Sequence, residues 1–77
     1  MLVTTRALLL ENIHPDASLR LAKEGYQVET LPRALGEDEL IEAIDGVSLL
    51  GIRSGTQVTE RVLAAAPRLA AIGAFCI

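Results

Sequence analysis

The residues best suited to chemistry form a short polar loop, residues 53–56, directly after an apolar run. The guanidinium of Arg53 is able to bind a carboxylate or a phosphate through two parallel hydrogen bonds, and the Ser54 hydroxyl is able to donate another. Thr59 and the N-terminus of a following helix would add positive potential. The pattern predicts an anion site centred on Arg53. The alternative is a surface arginine at a strand end, paired with Glu60 or with no partner.

Other side chains of chemical interest have structural explanations. His14 is the single histidine; it would act as a general base near neutral pH or, as we expect, as a polar loop residue or helix cap. Glu11 has no carboxylate partner visible in the sequence, and the acidic run 37–39 suits the first turn of a helix. The lone cysteine, Cys76, lies among apolar neighbours and is expected to be a buried, inert thiol.

Composition excludes several classes of protein. The chain has 77 residues and a net charge of −3, which argues against binding to nucleic acid or to an anionic membrane. Its longest apolar run, residues 69–77, is much shorter than the ~18 residues of a membrane span. The N-terminus lacks a signal-peptide core, and no GxGxxG, P-loop or metal-ligand cluster occurs. We expect a cytoplasmic protein that holds no metal and no cofactor within this chain.

The hydrophobic pattern alternates between strands and helices. Continuous apolar or β-favouring runs, typical of strands covered on both faces, occur at residues 7–10, 26–30, 47–52 and 69–77. The resulting β-α-β-α-β-α-β order predicts an α/β fold, an open parallel sheet of about four strands with three helices and the flavodoxin-like strand order 2-1-3-4. Ligands of such sheets bind beyond the carboxyl ends of strands 1 and 3. Residues 11–15 and 53–56 should therefore lie together.

Prolines, glycines and a capping threonine mark the three helices. They should begin near Pro15, after Gly36 and after Thr59, and end near Gly25, Gly46 and Pro67. Their predicted inner faces are Ala17 and Leu21 in the first, Leu40, Ile41 and Ile44 in the second, and Val62, Leu63 and Ala66 in the third. One helix on one face and two on the other would leave the first face under-covered. We therefore expect part of a longer polypeptide, or a module completed by a partner, that self-associates in isolation.

Several stretches together resemble the N-terminal part of the D-isomer-specific 2-hydroxyacid dehydrogenase family. The stretches are residues 8–14, 24–26, 34–40, 50–59 and 72–77. Residues 53–59 fit the pattern R-S-x-T-x-[VL]-T, which is shared widely across that family. The I-G-x-F-C-I ending at residues 72–77 looks like the branch that acts on phosphorylated glycerate.

The resemblance implies a two-domain parent enzyme. Residues 1–77 would be the first part of a discontinuous, flavodoxin-like substrate-binding domain, and the NAD-binding domain would lie outside this chain. The parent, a homo-oligomer, would oxidise 3-phospho-D-glycerate to 3-phosphohydroxypyruvate with NAD, the first step of L-serine biosynthesis. The 77 residues alone would be inactive.

The resemblance also implies site residues. Arg53 matches the family arginine that binds the anionic substrate, Ser54 its neighbour in the loop, and Ile77 a position whose backbone amide faces the substrate carboxylate. Gly55 departs from some bacterial relatives, which carry a second arginine there. The family's catalytic residues lie outside this chain, and His14 does not match any of them.

Two alternatives remain open at this point. In the first, the chain is a stand-alone module of the same fold, which binds a small anion or mediates dimerisation without catalysis. Otherwise it would belong to a related D-2-hydroxyacid dehydrogenase that acts on glycerate, glyoxylate or lactate, since the R-S-x-T loop does not discriminate among these substrates.

Overall fold

A computed structural model describes residues 5–75 and places them in a parallel sheet flanked by helices. The elements are β1 (Thr5–Leu9), α1 (Pro15–Lys23), β2 (Tyr26–Thr30), α2 (Glu37–Ala43), β3 (Val47–Ile52), α3 (Glu60–Ala64) and β4 (Ala71–Ala74). The four strands lie in the order β2-β1-β3-β4, and every neighbouring pair is parallel. This confirms the predicted α/β class and strand order.

Strand register brings two loops to one edge of the sheet. β1 pairs with β3 from Ala7 opposite Leu49 to Leu9 opposite Gly51, after an irregularity between Arg6 and Ala7. The backbone N–H of Leu10 extends this pairing by donating to the Gly51 carbonyl at 2.9 Å. The carboxyl ends of β1 and β3 therefore lie side by side. This is the place where open parallel sheets of this strand order bind their ligands.

The hydrophobic core lies between the sheet and the helices α2 and α3. Its fully buried members come from both layers, and burial of each leucine contributes roughly 1.5–3 kcal/mol. They include Leu8, Leu10, Leu40, Ile44, Val47, Leu50 and Val62.

One predicted core position in α3 is wrong. Leu63 is 49% exposed, whereas Val62 and Ala66 are buried. Val62 is the residue of α3 that faces the core, and Leu63 lies about 100° around the helix axis from it. Ala66 lies after the end of the helix. Because α3 has only five residues, its single turn presents one narrow stripe to the sheet.

Helix ends follow the predicted capping residues. The Thr59 hydroxyl accepts the Val62 N–H at 3.3 Å, which confirms it as the cap of α3. Gly25 and Gly46 follow α1 and α2 with φ angles of 95° and 79°, a region that glycine enters without steric cost. His14 caps α1, because its Nδ1 accepts the Asp16 N–H at 3.1 Å. The helix-cap interpretation of His14 is therefore confirmed.

The opposite face of the sheet, next to α1, is incompletely covered, as predicted. A groove of about 850 Å³ runs between α1 and the strands β3 and β4. Leu21 lines its helix side, and Leu49 and Phe75 line its sheet side. Phe75 keeps 42% of its surface exposed. Self-association through this face stays a prediction.

Two further findings concern the described part of the chain. Among residues 5–75, no helix has both the length and the apolar character needed to cross a membrane. The predictions for Cys76 and Ile77 lie outside the described residues.

Candidate anion-binding site

The loop after β1 has an unusual backbone conformation. Glu11 and Asn12 have φ angles of 65° and 57°, a left-handed region that few residues with side chains adopt. Their backbone N–H groups donate to the carbonyls of Arg33 and Leu31, each at 3.2 Å. The segment after β2 therefore holds this loop in its conformation at the edge of the sheet.

The Glu11 side chain bridges from this loop to the loop after β3. Its Oε2 accepts the backbone N–H of Arg53 at 2.7 Å and that of Thr56 at 3.1 Å, and its Oε1 accepts the N–H of Gly55 at 2.7 Å. Hydrogen bonds to an ionised acceptor are shorter and stronger than neutral ones. One carboxylate thus joins two loops that are more than 40 residues apart in the chain.

These contacts lower the pKa of Glu11. Partial desolvation of the carboxylate acts to raise its pKa, but hydrogen bonds from Thr56 and from the amides of Arg53 and Gly55 outweigh that effect. The Thr56 hydroxyl is buried and faces the same carboxylate, although it completes no well-aligned hydrogen bond within the described residues. Glu11 is therefore ionised at neutral pH and balances the converging amide dipoles.

Arg53 lies where the sequence predicted it, at the carboxyl end of β3. Its backbone N–H is held by Glu11, while its exposed side chain lines the groove together with His14. Within residues 5–75 the guanidinium has no hydrogen-bond or ion-pair partner, and the alternative pairing with Glu60 does not form. The arrangement therefore presents a cation that has no partner among residues 5–75, on a backbone fixed by Glu11, which suits a carboxylate or phosphate ligand.

Ser54 and Gly55 complete the turn. Ser54 is exposed next to Arg53. Gly55 has no left-handed φ, so its role is close approach: a Cβ atom there would lie 2.7 Å from Oε1 of Glu11 and 3.4 Å from Cβ of Ala34. Any side chain at position 55 would have to displace the Glu11 carboxylate.

The N-terminus of α3 does not add a free positive potential to this site. The Thr59 hydroxyl donates to Oε2 of Glu37 at 2.5 Å, and Nη1 of Arg61 donates to Oε1 of Glu37 at 2.6 Å. The hydrogen bond from Thr59, followed by the charge of Arg61, lowers the pKa of Glu37. A carboxylate therefore already faces the start of α3, and the expected contribution of Thr59 to anion binding is wrong.

The rest of the acidic run is also accounted for. All three acidic residues at 37–39 lie in the first turn of α2, as predicted. Glu39 accepts from Nη2 of Arg33 at 2.8 Å and from the Gly36 N–H at 3.4 Å. No group of three or more His, Cys, Asp or Glu side chains within residues 5–75 is placed to hold a metal ion.

The sequence reasoning missed the connection between Glu11 and the Arg53 loop. The strand order already placed residues 11–15 beside residues 53–56, and a carboxylate that faces a glycine-containing turn is able to accept hydrogen bonds from its backbone amides. Asn12 is of a type that enters the left-handed region more readily than most, but glutamate rarely does, so the left-handed backbone at Glu11 has no signal at that residue itself.

Comparison with known proteins identifies close relatives of the chain. Residues 7–77 match the family described as D-isomer specific 2-hydroxyacid dehydrogenase, catalytic domain. The chain is 51% identical over 72 residues to D-3-phosphoglycerate dehydrogenase of Dictyostelium discoideum. It is 50% identical over 70 residues to D-3-phosphoglycerate dehydrogenase 2 of Saccharomyces cerevisiae, and 42% identical over 71 residues to D-3-phosphoglycerate dehydrogenase of Escherichia coli (strain K12).

These matches cover nearly all of the chain but little of each relative. They include 94%, 91% and 91% of this chain, in the same order, and 18%, 15% and 17% of the relatives. The chain therefore spans less than one fifth of the length of the relatives it resembles.

Proposed function

Because the chain belongs to the D-isomer specific 2-hydroxyacid dehydrogenase family, we propose that it is the first part of the substrate-binding domain of an NAD-dependent dehydrogenase. The proposed reaction is the oxidation of 3-phospho-D-glycerate to 3-phosphohydroxypyruvate, in agreement with the names of the relatives. One structural observation carries the proposal. Arg53 has no side-chain partner among residues 5–75, and it lines the groove from a loop that Glu11 holds at the carboxyl ends of β1 and β3.

In this proposal the chain binds and orients the substrate. The Arg53 guanidinium binds one anionic group of the phosphorylated acid, and Ser54 donates a hydrogen bond to the same group. The backbone amide of Ile77, which lies outside the described residues, faces the substrate carboxylate. Fixing both ends of a small acid holds its 2-hydroxyl in a reactive geometry, which lowers the entropic part of the barrier.

The residues of this chain do not fit a dinucleotide site. The sequence contains no GxGxxG turn, which a dinucleotide pyrophosphate needs for close backbone approach. In the complete enzyme NAD would be held by a second domain and would supply the hydride acceptor. The 77 residues alone should therefore show no dehydrogenase activity.

Substrate preference tests this proposal directly. The complete polypeptide that carries this chain should be assayed for NAD reduction with 3-phospho-D-glycerate, D-glycerate and D-lactate. A site built around the Arg53 guanidinium should favour the phosphorylated acid by about 10- to 150-fold in kcat/KM, since a charge-assisted contact contributes roughly 1.5–3 kcal/mol. Equal kcat/KM for the three acids would contradict the proposal and favour another member of the family.

The open groove next to α1 favours a second candidate, a module that acts without catalysis. Titration of the 77-residue chain with 3-phospho-D-glycerate distinguishes this module from the first part of a dehydrogenase, when binding is followed through the backbone amide chemical shifts. Saturable shifts around Arg53 at micromolar concentration would support a stand-alone binding module. Unchanged shifts would agree with a site that needs the second domain.

A further inference from the structure

The loop that carries Arg53 depends on one side chain for its backbone hydrogen bonds. Residues 53–56 form no helix or strand, and within the described residues the amides of Arg53, Gly55 and Thr56 have a single acceptor group, the Glu11 carboxylate. A turn whose amides have no well-aligned backbone acceptor within the described residues has many alternative conformations, and ordering it costs conformational entropy. Glu11 is the group that selects one of them.

We propose that Glu11 is a positioning residue for Arg53: its carboxylate fixes the turn so that the guanidinium enters the groove at the place where the substrate anion binds. This inference rests on the proposed function of Arg53. It also means that side chains of this loop, and not its backbone amides, bind the anion. Because Glu11 already occupies the converging amides, the loop backbone is not a second anion site.

The chemistry of the bridge requires a carboxylate. Oε2 accepts two N–H groups and Oε1 accepts a third. Glutamine has only one acceptor oxygen, and its NH₂ group would face at least one backbone N–H as a second donor. Aspartate is shorter by one methylene and does not span the same distance. The contact with Gly55 is equally tight, since a Cβ there would lie 2.7 Å from Oε1.

A double-mutant cycle in the complete polypeptide tests the proposal. Glu11→Gln, Arg53→Ala and the double variant are compared for KM with 3-phospho-D-glycerate and for kcat. Glu11→Gln should raise KM about 10- to 100-fold, the size expected when a binding group is displaced by about an ångström. In the Arg53→Ala background the same change should have almost no further effect on KM, because Glu11 acts through Arg53.

Glu37→Gln is the matched control. Its carboxylate accepts two short hydrogen bonds, from Thr59 and Arg61, and joins α2 to α3 on the other face of the sheet. This variant should lower the unfolding temperature and leave KM unchanged. A purely structural role for Glu11 would instead give the same fold-change in KM in both Arg53 backgrounds, and that result would overturn the proposal.

Gly55→Ala perturbs the same bridge from the other side, in case Glu11→Gln does not fold. It should raise KM in the wild-type background and have little effect beside Arg53→Ala. The amide proton of Gly55 gives an independent reading in the 77-residue chain: Glu11→Gln should move its resonance upfield as the bond to the carboxylate is lost. An unchanged Gly55 resonance would refute the bridge. An unchanged KM in Arg53→Ala alone would refute the proposed function instead.

Discussion

The two faces of the sheet differ in how completely this chain covers them. On the face of α2 and α3, Leu8, Leu50 and Val62 are fully buried in one cluster. On the other face α1 buries none of its own residues and leaves a groove beside β3 and β4. The cause is topological, because the chain crosses once on one side of β1 and twice on the other. The closed face is the scaffold, and the open face carries the exposed arginine.

The largest difference between the faces should appear in stability. Leu50→Ala removes a fully buried side chain and should lower the free energy of unfolding by about 2–5 kcal/mol. Leu19→Ala on α1 removes a side chain that is 61% exposed and should cost less than about 0.5 kcal/mol. Urea unfolding of both variants measures the contrast. Equal losses would show that Leu19 on α1 is packed as tightly as the core.

A smaller effect should mark a tight place on the open face. A Cβ at Gly51 would lie 2.6 Å from Cδ2 of Leu9 and 3.1 Å from atoms of Ile13 and Phe75. Gly51→Ala should therefore cost about 1–3 kcal/mol through overpacking, more than Leu19→Ala. Thermal unfolding of the two variants compares them directly. A neutral or stabilising Gly51→Ala would mean that the wall of the groove adapts freely.

Acid should weaken three carboxylate contacts that stabilise the loops and helix ends. The pKa values of Glu11, Glu37 and Glu39 lie below the usual 4.5 in the folded chain. Groups of this kind stabilise the fold fully above their unfolded pKa, and the stabilisation is lost as the pH falls through the lower, folded value. The urea midpoint should thus be nearly constant from neutral pH to about pH 5 and decrease below about pH 4.5.

Replacement of these glutamates by glutamine checks the assignment. Each single variant should show a smaller decrease of the urea midpoint on acidification than the wild type. A wild-type midpoint that rises on acidification would contradict the direction of all three pKa shifts.

Much of the fold was readable from the sequence because it rests on local signals. The residues Tyr26–Thr30 and Val47–Ile52 were predicted as strands with the observed bounds, since each follows a glycine and consists of β-favouring or apolar residues. Thr59 and Gly25 marked helix ends through capping chemistry and glycine's freedom at positive φ. Leu63 was misplaced because a helix of five residues presents a narrower stripe than its sequence period suggested.

The site was only partly readable. Arg53 followed from the strand order, because the carboxyl ends of β1 and β3 had to meet. The bridge from Glu11 did not, because it joins residues 42 to 45 positions apart and needs a left-handed backbone at Glu11, a conformation that glutamate rarely adopts. Interactions of that range are fixed only once the whole sheet is assembled.

The central claim is that Arg53 binds the anionic substrate, and one comparison of two arginine variants tests it most directly. In the complete polypeptide, Arg53→Ala should raise KM for 3-phospho-D-glycerate about 10- to 150-fold, since a charge-assisted pair contributes roughly 1.5–3 kcal/mol. Arg68→Ala, which removes an exposed arginine outside the groove, should leave KM unchanged. An unchanged kcat/KM for Arg53→Ala, or an equal rise for both variants, would contradict the account.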